Sequence, residues 1–93
     1  MAGAFSRQMI LSTVTATLEN LVQDWDLATP IEAGTRLVAD LGFESIDLIQ
    51  MVAALEQEFG RPNIPFAELL IVDGRYVDDL TVGQIAEFLT ARL

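Results

Sequence analysis

The run Ser45-Ile46-Asp47-Leu48-Ile49-Gln50-Met51-Val52-Ala53-Ala54-Leu55-Glu56-Gln57-Glu58-Phe59-Gly60 sets the fold class. Leu48, Val52, Leu55 and Phe59 recur at spacings of three and four, and Ile49 and Met51 widen the same stripe. Side chains so spaced share one face of an α-helix, so the pattern predicts an amphipathic helix from about Ser45 to Phe59. Glu56, Gln57 and Glu58 form its polar end. Gly60 tolerates the backbone of a helix C-terminus and Pro62 cannot continue the helical hydrogen bonding, so the two stop it.

Upstream, Ser6 can cap a first helix reaching about Val22, with Ile10, Val14, Leu18 and Leu21/Val22 as its apolar stripe. Thr13, Thr15 and Thr17 lower its intrinsic propensity, so tertiary packing must supply the difference. Trp25 reads as a core plug just past this helix. Residues 26–44 form a long connection punctuated by Pro30 and Gly34, with Leu37 and Leu41 as its buried anchors. Connections of this length in a small domain are often functional.

Downstream, Pro65 can start a short helical segment, Phe66 to Leu70. Asp73-Gly74 between apolar residues is a hairpin signal, but an isolated hairpin is marginal in water. The reading preferred for Ile71–Val77 is therefore a turn between helical pieces. Thr81-Val82-Gly83-Gln84 fits a capping box, followed by Val82, Ile85, Phe88/Leu89 and Leu93 at helical spacing, and Arg92 suits the negative end of the helix dipole. The sum is one all-α domain, residues 1–93: a small four-helix bundle, three helices long and one short, with a long first loop.

Composition narrows the chemistry. Of the residues, 52% are apolar, enough to offset ordering entropy and exclude intrinsic disorder. Cysteine, histidine and lysine are absent, which removes thiolate, imidazole and Schiff-base chemistry and the usual metal ligands. No EF-hand ligand spacing occurs around Asp73–Asp79. The net charge is −9, and residues 37–60 carry five of those charges on Asp40, Glu44, Asp47, Glu56 and Glu58 with no basic residue between them. Nucleic acid and anionic membranes are poor partners for such a chain; a basic protein surface is the natural complement. No stretch reads as a membrane span or a clean signal-peptide core, so a cytoplasmic protein is expected.

Ser45 is one of three serines and lies where the long loop meets the central helix. By position alone it reads as an ordinary helix N-cap. An activated nucleophile is not expected: no His or Lys exists to serve as the adjacent base, and although carboxylates could serve in principle, nothing places Asp78-Asp79 in a pocket. Ser45 can still be a place where another enzyme attaches something.

Asp40-Leu41-Gly42-Phe43-Glu44-Ser45-Ile46-Asp47-Leu48, with Ala54-Leu55-Glu56-Gln57-Glu58-Phe59-Gly60 after it, resembles the acyl carrier protein family, whose motif is D-L-G-x-D-S-L-D. Thr35-Arg36-Leu37 and Asp79-Leu80-Thr81-Val82 extend the resemblance over roughly residues 30–93. It implies an acyl-carrier-like bundle that is not itself catalytic, with Ser45 as the attachment site of a 4'-phosphopantetheine arm taken from coenzyme A. The arm's own thiol would hold the acyl group, so the missing cysteine is no obstacle. Glu44 and Asp47 would recruit a phosphopantetheinyl transferase, and Ile46 would be an exposed apolar contact. Gln50, Ala53 and Glu56 would complete the face read by acyl-ligase, ketosynthase or acyltransferase partners with basic docking patches. The resemblance further implies a carrier that serves fatty-acid, polyketide or related lipid biosynthesis and shelters some acyl chains between its helices; a monomer is the default expectation for the chain.

Glu-Ser-Ile stands where the family most often has Asp-Ser-Leu. Gln50 and Ala53 replace an acid and a larger apolar residue, which points to dedicated partners, and Ile71 to Asp78 is longer than in compact members. A peptidyl or aminoacyl carrier is an alternative, although Gly42-Phe43-Glu44-Ser45 is nearer the acyl type. An unmodified helical adaptor is the alternative from a different class.

Overall fold

A computed structural model describes residues 6–23 and 30–93; Trp25, expected as a core plug, lies outside the described residues. In chain order the elements are α1 (Arg7–Leu21), α2 (Ser45–Phe59), α3 (Ala67–Leu70), β1 (Ile71–Val72), β2 (Arg75–Tyr76) and α4 (Val82–Arg92). The expected bundle of three long helices and one short is present, with one miniature sheet added.

α1 starts where Ser6 Oγ accepts the Met9 N–H at 3.1 Å. Ile10, Val14, Thr17 and Leu18 are its buried face, packed against α4 and α2. Thr17 is buried without penalty because its hydroxyl donates to the Thr13 carbonyl at 2.7 Å. α4 opens with the capping box read from Thr81 and Gln84: the Gln84 N–H donates to Thr81 Oγ1 at 3.1 Å, and the Thr81 N–H to Gln84 Oε1 at 2.8 Å. Val82, Ile85, Ala86 and Leu89 are buried. Arg92 does more than face the helix dipole. It pairs with Glu68 of α3, and its guanidinium lies 4.8 Å from the centre of the Phe88 ring. Phe88 in turn packs on Phe66, ring centres 5.6 Å apart, so α3 is held onto α4.

α2 has the expected bounds, but its faces are rotated. Met51, Leu55 and Phe59 are buried, Leu48 and Val52 are half-buried, and Ile49 is 64% exposed. The N-cap is Glu44, not Ser45: the Glu44 N–H donates to Asp47 Oδ2 at 2.8 Å, which leaves Ser45 as the first residue inside the helix. Gly60 ends α2 with φ 64°, a left-handed conformation that costs glycine nothing.

The segment expected as a turn between helical pieces is a hairpin. Ile71 pairs with Tyr76 and Val72 with Arg75, antiparallel, around Asp73 (φ 54°) and Gly74 (φ 77°). Positive φ at both central residues gives the twist that two-residue hairpins need. Tertiary contacts supply what so short a ladder lacks: the Val77 N–H donates to the Leu70 carbonyl at 2.9 Å, and Leu70 and Val77 both pack on the core.

The connection into α2 is tied to the start of α4. Leu37 and Leu41 are buried, as expected, together with Ile31 and Phe43. The Leu37 N–H donates to the Leu80 carbonyl, the Val82 N–H to Thr35 and the Gly83 N–H to Ala33. The Asp79 carboxylate accepts the N–H groups of Val38 at 2.8 Å, Ala39 at 3.0 Å and Leu80 at 2.8 Å.

Candidate functional site

The approach to Ser45 is held by local hydrogen bonds as well as by the bonds to Asp79 and Leu80. The Leu41, Gly42 and Phe43 N–H groups donate to the carbonyls of Arg36, Val38 and Leu37. Gly42 takes φ 72°, which lets the chain reverse there. Leu41 and Phe43 point into the core, while Gly42, Glu44 and Ser45 face out. The Ser45 side chain is exposed, and no group among the described residues hydrogen-bonds its hydroxyl. Its neighbour Asp47 accepts the Glu44 N–H through Oδ2.

Beside Ser45 opens an apolar groove of about 380 Å³. Leu48, Ile49 and Val52 of α2 form one wall; Phe66, Leu70 and Tyr76 of the α3–hairpin segment face them, and Ser45 stands at the rim. Of the lining side chains only Ser45 and Tyr76 carry a polar atom. Glu56 helps to build this groove: its Oε2 accepts the Ile64 N–H at 3.0 Å and so holds the chain after α2 against that helix.

A family model described as the phosphopantetheine attachment site matches residues 16–89. The chain belongs to this family of phosphopantetheine carriers. No curated protein and no solved structure gives a significant match. Carriers of this family bear a covalently attached 4'-phosphopantetheine, and such domains are generally non-catalytic. Their cofactor needs an accessible hydroxyl with room to leave the surface, and Ser45 of this carrier meets both demands.

The residues read from the sequence as a docking face divide into two sets in the carrier. Glu44, Ile46, Gln50 and Ala53 are exposed, Ile46 to 58%, and Ile46, Gln50 and Ala53 share one face by their spacing. Asp47 and Glu56 are half-buried, and both carboxylates accept backbone N–H groups within the carrier itself. Ile49 was missed as a surface residue. The available signal was its place three after Ile46 and four before Ala53, on the same face as the exposed set.

Asp47 thus has a structural task that can be separated from recognition. Asp47→Ala is expected to lower stability by about 0.5–2 kcal/mol through the lost cap, read as a lower melting temperature. Asp47→Asn keeps an acceptor oxygen and is expected to melt close to wild type. A transferase defect in the Asn variant would then report charge recognition alone.

Proposed function

We propose that the protein is an acyl carrier: a 4'-phosphopantetheine arm on Ser45 carries acyl groups and presents them to partner enzymes of fatty-acid, polyketide or related lipid biosynthesis. The observation that carries this reading is a free, exposed serine hydroxyl on the rim of an apolar groove in a chain of the phosphopantetheine family. When bound, the arm supplies a thiol that holds the acyl group as a thioester. The chain provides the Ser45 oxygen and the surface around it. On attachment the Ser45 oxygen would form a bond to the pantetheine-side phosphorus of coenzyme A as the pyrophosphate bond breaks and adenosine 3',5'-bisphosphate leaves, its proton passing to a base of the visiting transferase.

Electrostatics support brief encounters with basic partners. Rim carboxylates raise association rates without demanding tight binding, and an exposed ion pair contributes only about 0–1 kcal/mol. Glu44, Ile46, Gln50 and Ala53 form the contact face in this reading. Asp47 and Glu56 add negative charge to it from positions fixed by their backbone bonds. The dipole of α2 favours a phosphodiester at its N-terminus, while Glu44 and Asp47 oppose it locally. The apolar lining favours acyl over aminoacyl cargo, since a buried ammonium would lose its hydration without a partner. No helix among the described residues is long and apolar enough to cross a membrane. In this reading the carrier is cytoplasmic and monomeric and forms one domain over residues 1–93.

Incubation with a phosphopantetheinyl transferase and coenzyme A, read by intact mass, tests the proposal. The expected result is a gain of one phosphopantetheine. An unchanged mass, with a known carrier modified in the same reaction, would leave the helical adaptor as the reading.

A further inference from the structure

Two clefts meet at Tyr76. The groove beside Ser45 is one. The other is a crevice of about 20 Å³ between the hairpin and the long loop, bounded by Leu37, Val77, Asp79 and Leu80. Leu48, Leu70 and Tyr76 line both, so these three residues form the partition between them. Leu48 and Leu70 are half-buried and packed on the core. Tyr76 is 68% exposed and ends a strand of only two residues, which makes it the movable member. Its cross-strand partner is Ile71, and directly opposed residues project to the same face. Both line the groove, so the hairpin turns that face toward α2.

Resting on the reading of Ser45 as the attachment site, we propose that Tyr76 is a specificity-determining lid, closing over an uncharged aliphatic acyl chain in the groove and limiting the length of chain the protein shelters. The chain would enter from Ser45 along Leu48, Ile49 and Val52. An apolar chain laid there gives the exposed ring a surface to cover, and burial of apolar area on both is favourable. A longer chain must pass the partition into the crevice. There it meets the Asp79 carboxylate, whose oxygens are engaged by the Val38 and Ala39 N–H groups. Entry would desolvate that carboxylate or break its bonds, so the Tyr76 ring sets the length at the partition, and removing the ring lengthens the sheltered chain only by the space it vacates before Asp79.

The test loads the full chain with a phosphopantetheinyl transferase from acetyl, hexanoyl, decanoyl, tetradecanoyl and succinyl coenzyme A. Two readouts follow: the rate at which hydroxylamine cleaves each thioester, and the ring NMR signals of Tyr76, the chain's single tyrosine. In the wild type, hexanoyl or decanoyl cargo is expected to be cleaved about fivefold more slowly than acetyl, with shifted Tyr76 signals. Succinyl and tetradecanoyl cargo should gain no such protection. Tyr76→Ala should shift the best-protected length upward, and Tyr76→Phe should keep the wild-type profile. An unchanged length profile in Tyr76→Ala, or Tyr76 signals indifferent to cargo, overturns the lid. Succinyl protection equal to hexanoyl overturns the aliphatic assignment. Failure to load at all is a different result, and strikes the carrier reading instead.

Discussion

Ser45→Ala is expected to accept no phosphopantetheine while folding as well as the wild type. The two halves of this expectation have separate causes. Transfer requires an oxygen at that position, and alanine supplies none. Stability is indifferent because the hydroxyl is exposed and accepts no hydrogen bond among the described residues, and the cap of α2 is made by Glu44 and Asp47. Alanine is also the best helix former at an exposed helical position. The melting free energy should therefore stay within about 0.5 kcal/mol of wild type. Intact mass after transferase treatment and a thermal melt check both halves. A mass gain that persists in this variant would place the modification elsewhere, and the assignment of Ser45 would be wrong. Ser6 is a poor substitute, since its oxygen already accepts the Met9 N–H.

Asp79→Asn is expected to be the most damaging isosteric change on the loop side. Both carboxylate oxygens accept N–H groups from the segment leading to Ser45. An amide replaces one acceptor with a donor that faces another N–H. The loss should be about 1–3 kcal/mol, with solvent exposure favouring the lower half, or roughly 4–8 °C in melting temperature per kcal/mol for a domain of this size. The pH dependence follows from the same contacts. Burial by itself pushes the Asp79 carboxyl up, but the N–H groups of Val38, Ala39 and Leu80 and the charge of Arg36 together outweigh it and hold it below its ordinary value. A group lowered in the folded state binds protons more readily when unfolded. Its stabilisation is therefore fully present above the unfolded value and fades as pH falls through the folded one. The gap between wild type and Asp79→Asn should accordingly be widest near neutrality and narrow below the ordinary carboxylate range. Parallel melts across pH check this; a gap that stays constant into acid would contradict the role given to the carboxylate.

Local patterns carried much of the architecture. Ser6, Thr81 with Gln84, and Gly60 mark three helix ends by short-range chemistry, and each is found where its sequence signal lies. Periodicity placed α2 but not its rotation. Ile46, Leu48, Ile49, Met51, Val52 and Leu55 spread apolar side chains around most of its circumference, so the pattern alone does not say which arc meets the core. Packing buries Met51 and leaves Ile49 on the rim of the groove. The hairpin had its turn signal in Asp73-Gly74, but its stability comes from Leu70 and Val77, outside the two strands. The bonds from Asp79 to Val38 and Ala39 span about forty residues and leave no local trace. Ser45 stands out as the candidate attachment site through a motif. The groove beside it does not, because its second wall is assembled from residues 64–76 only once they have folded back.

That long-range clasp bears on the order of events during synthesis. The peptide groups of Val38 and Ala39 find their acceptor only after Asp79 has left the ribosome, and Leu37 and Thr35 wait for Leu80 and Val82. Until then the platform under Ser45 lacks its fastenings, even though the serine was translated midway. Priming of the nascent polypeptide would thus be a late event, and a half-made chain would offer a transferase nothing ordered to grip.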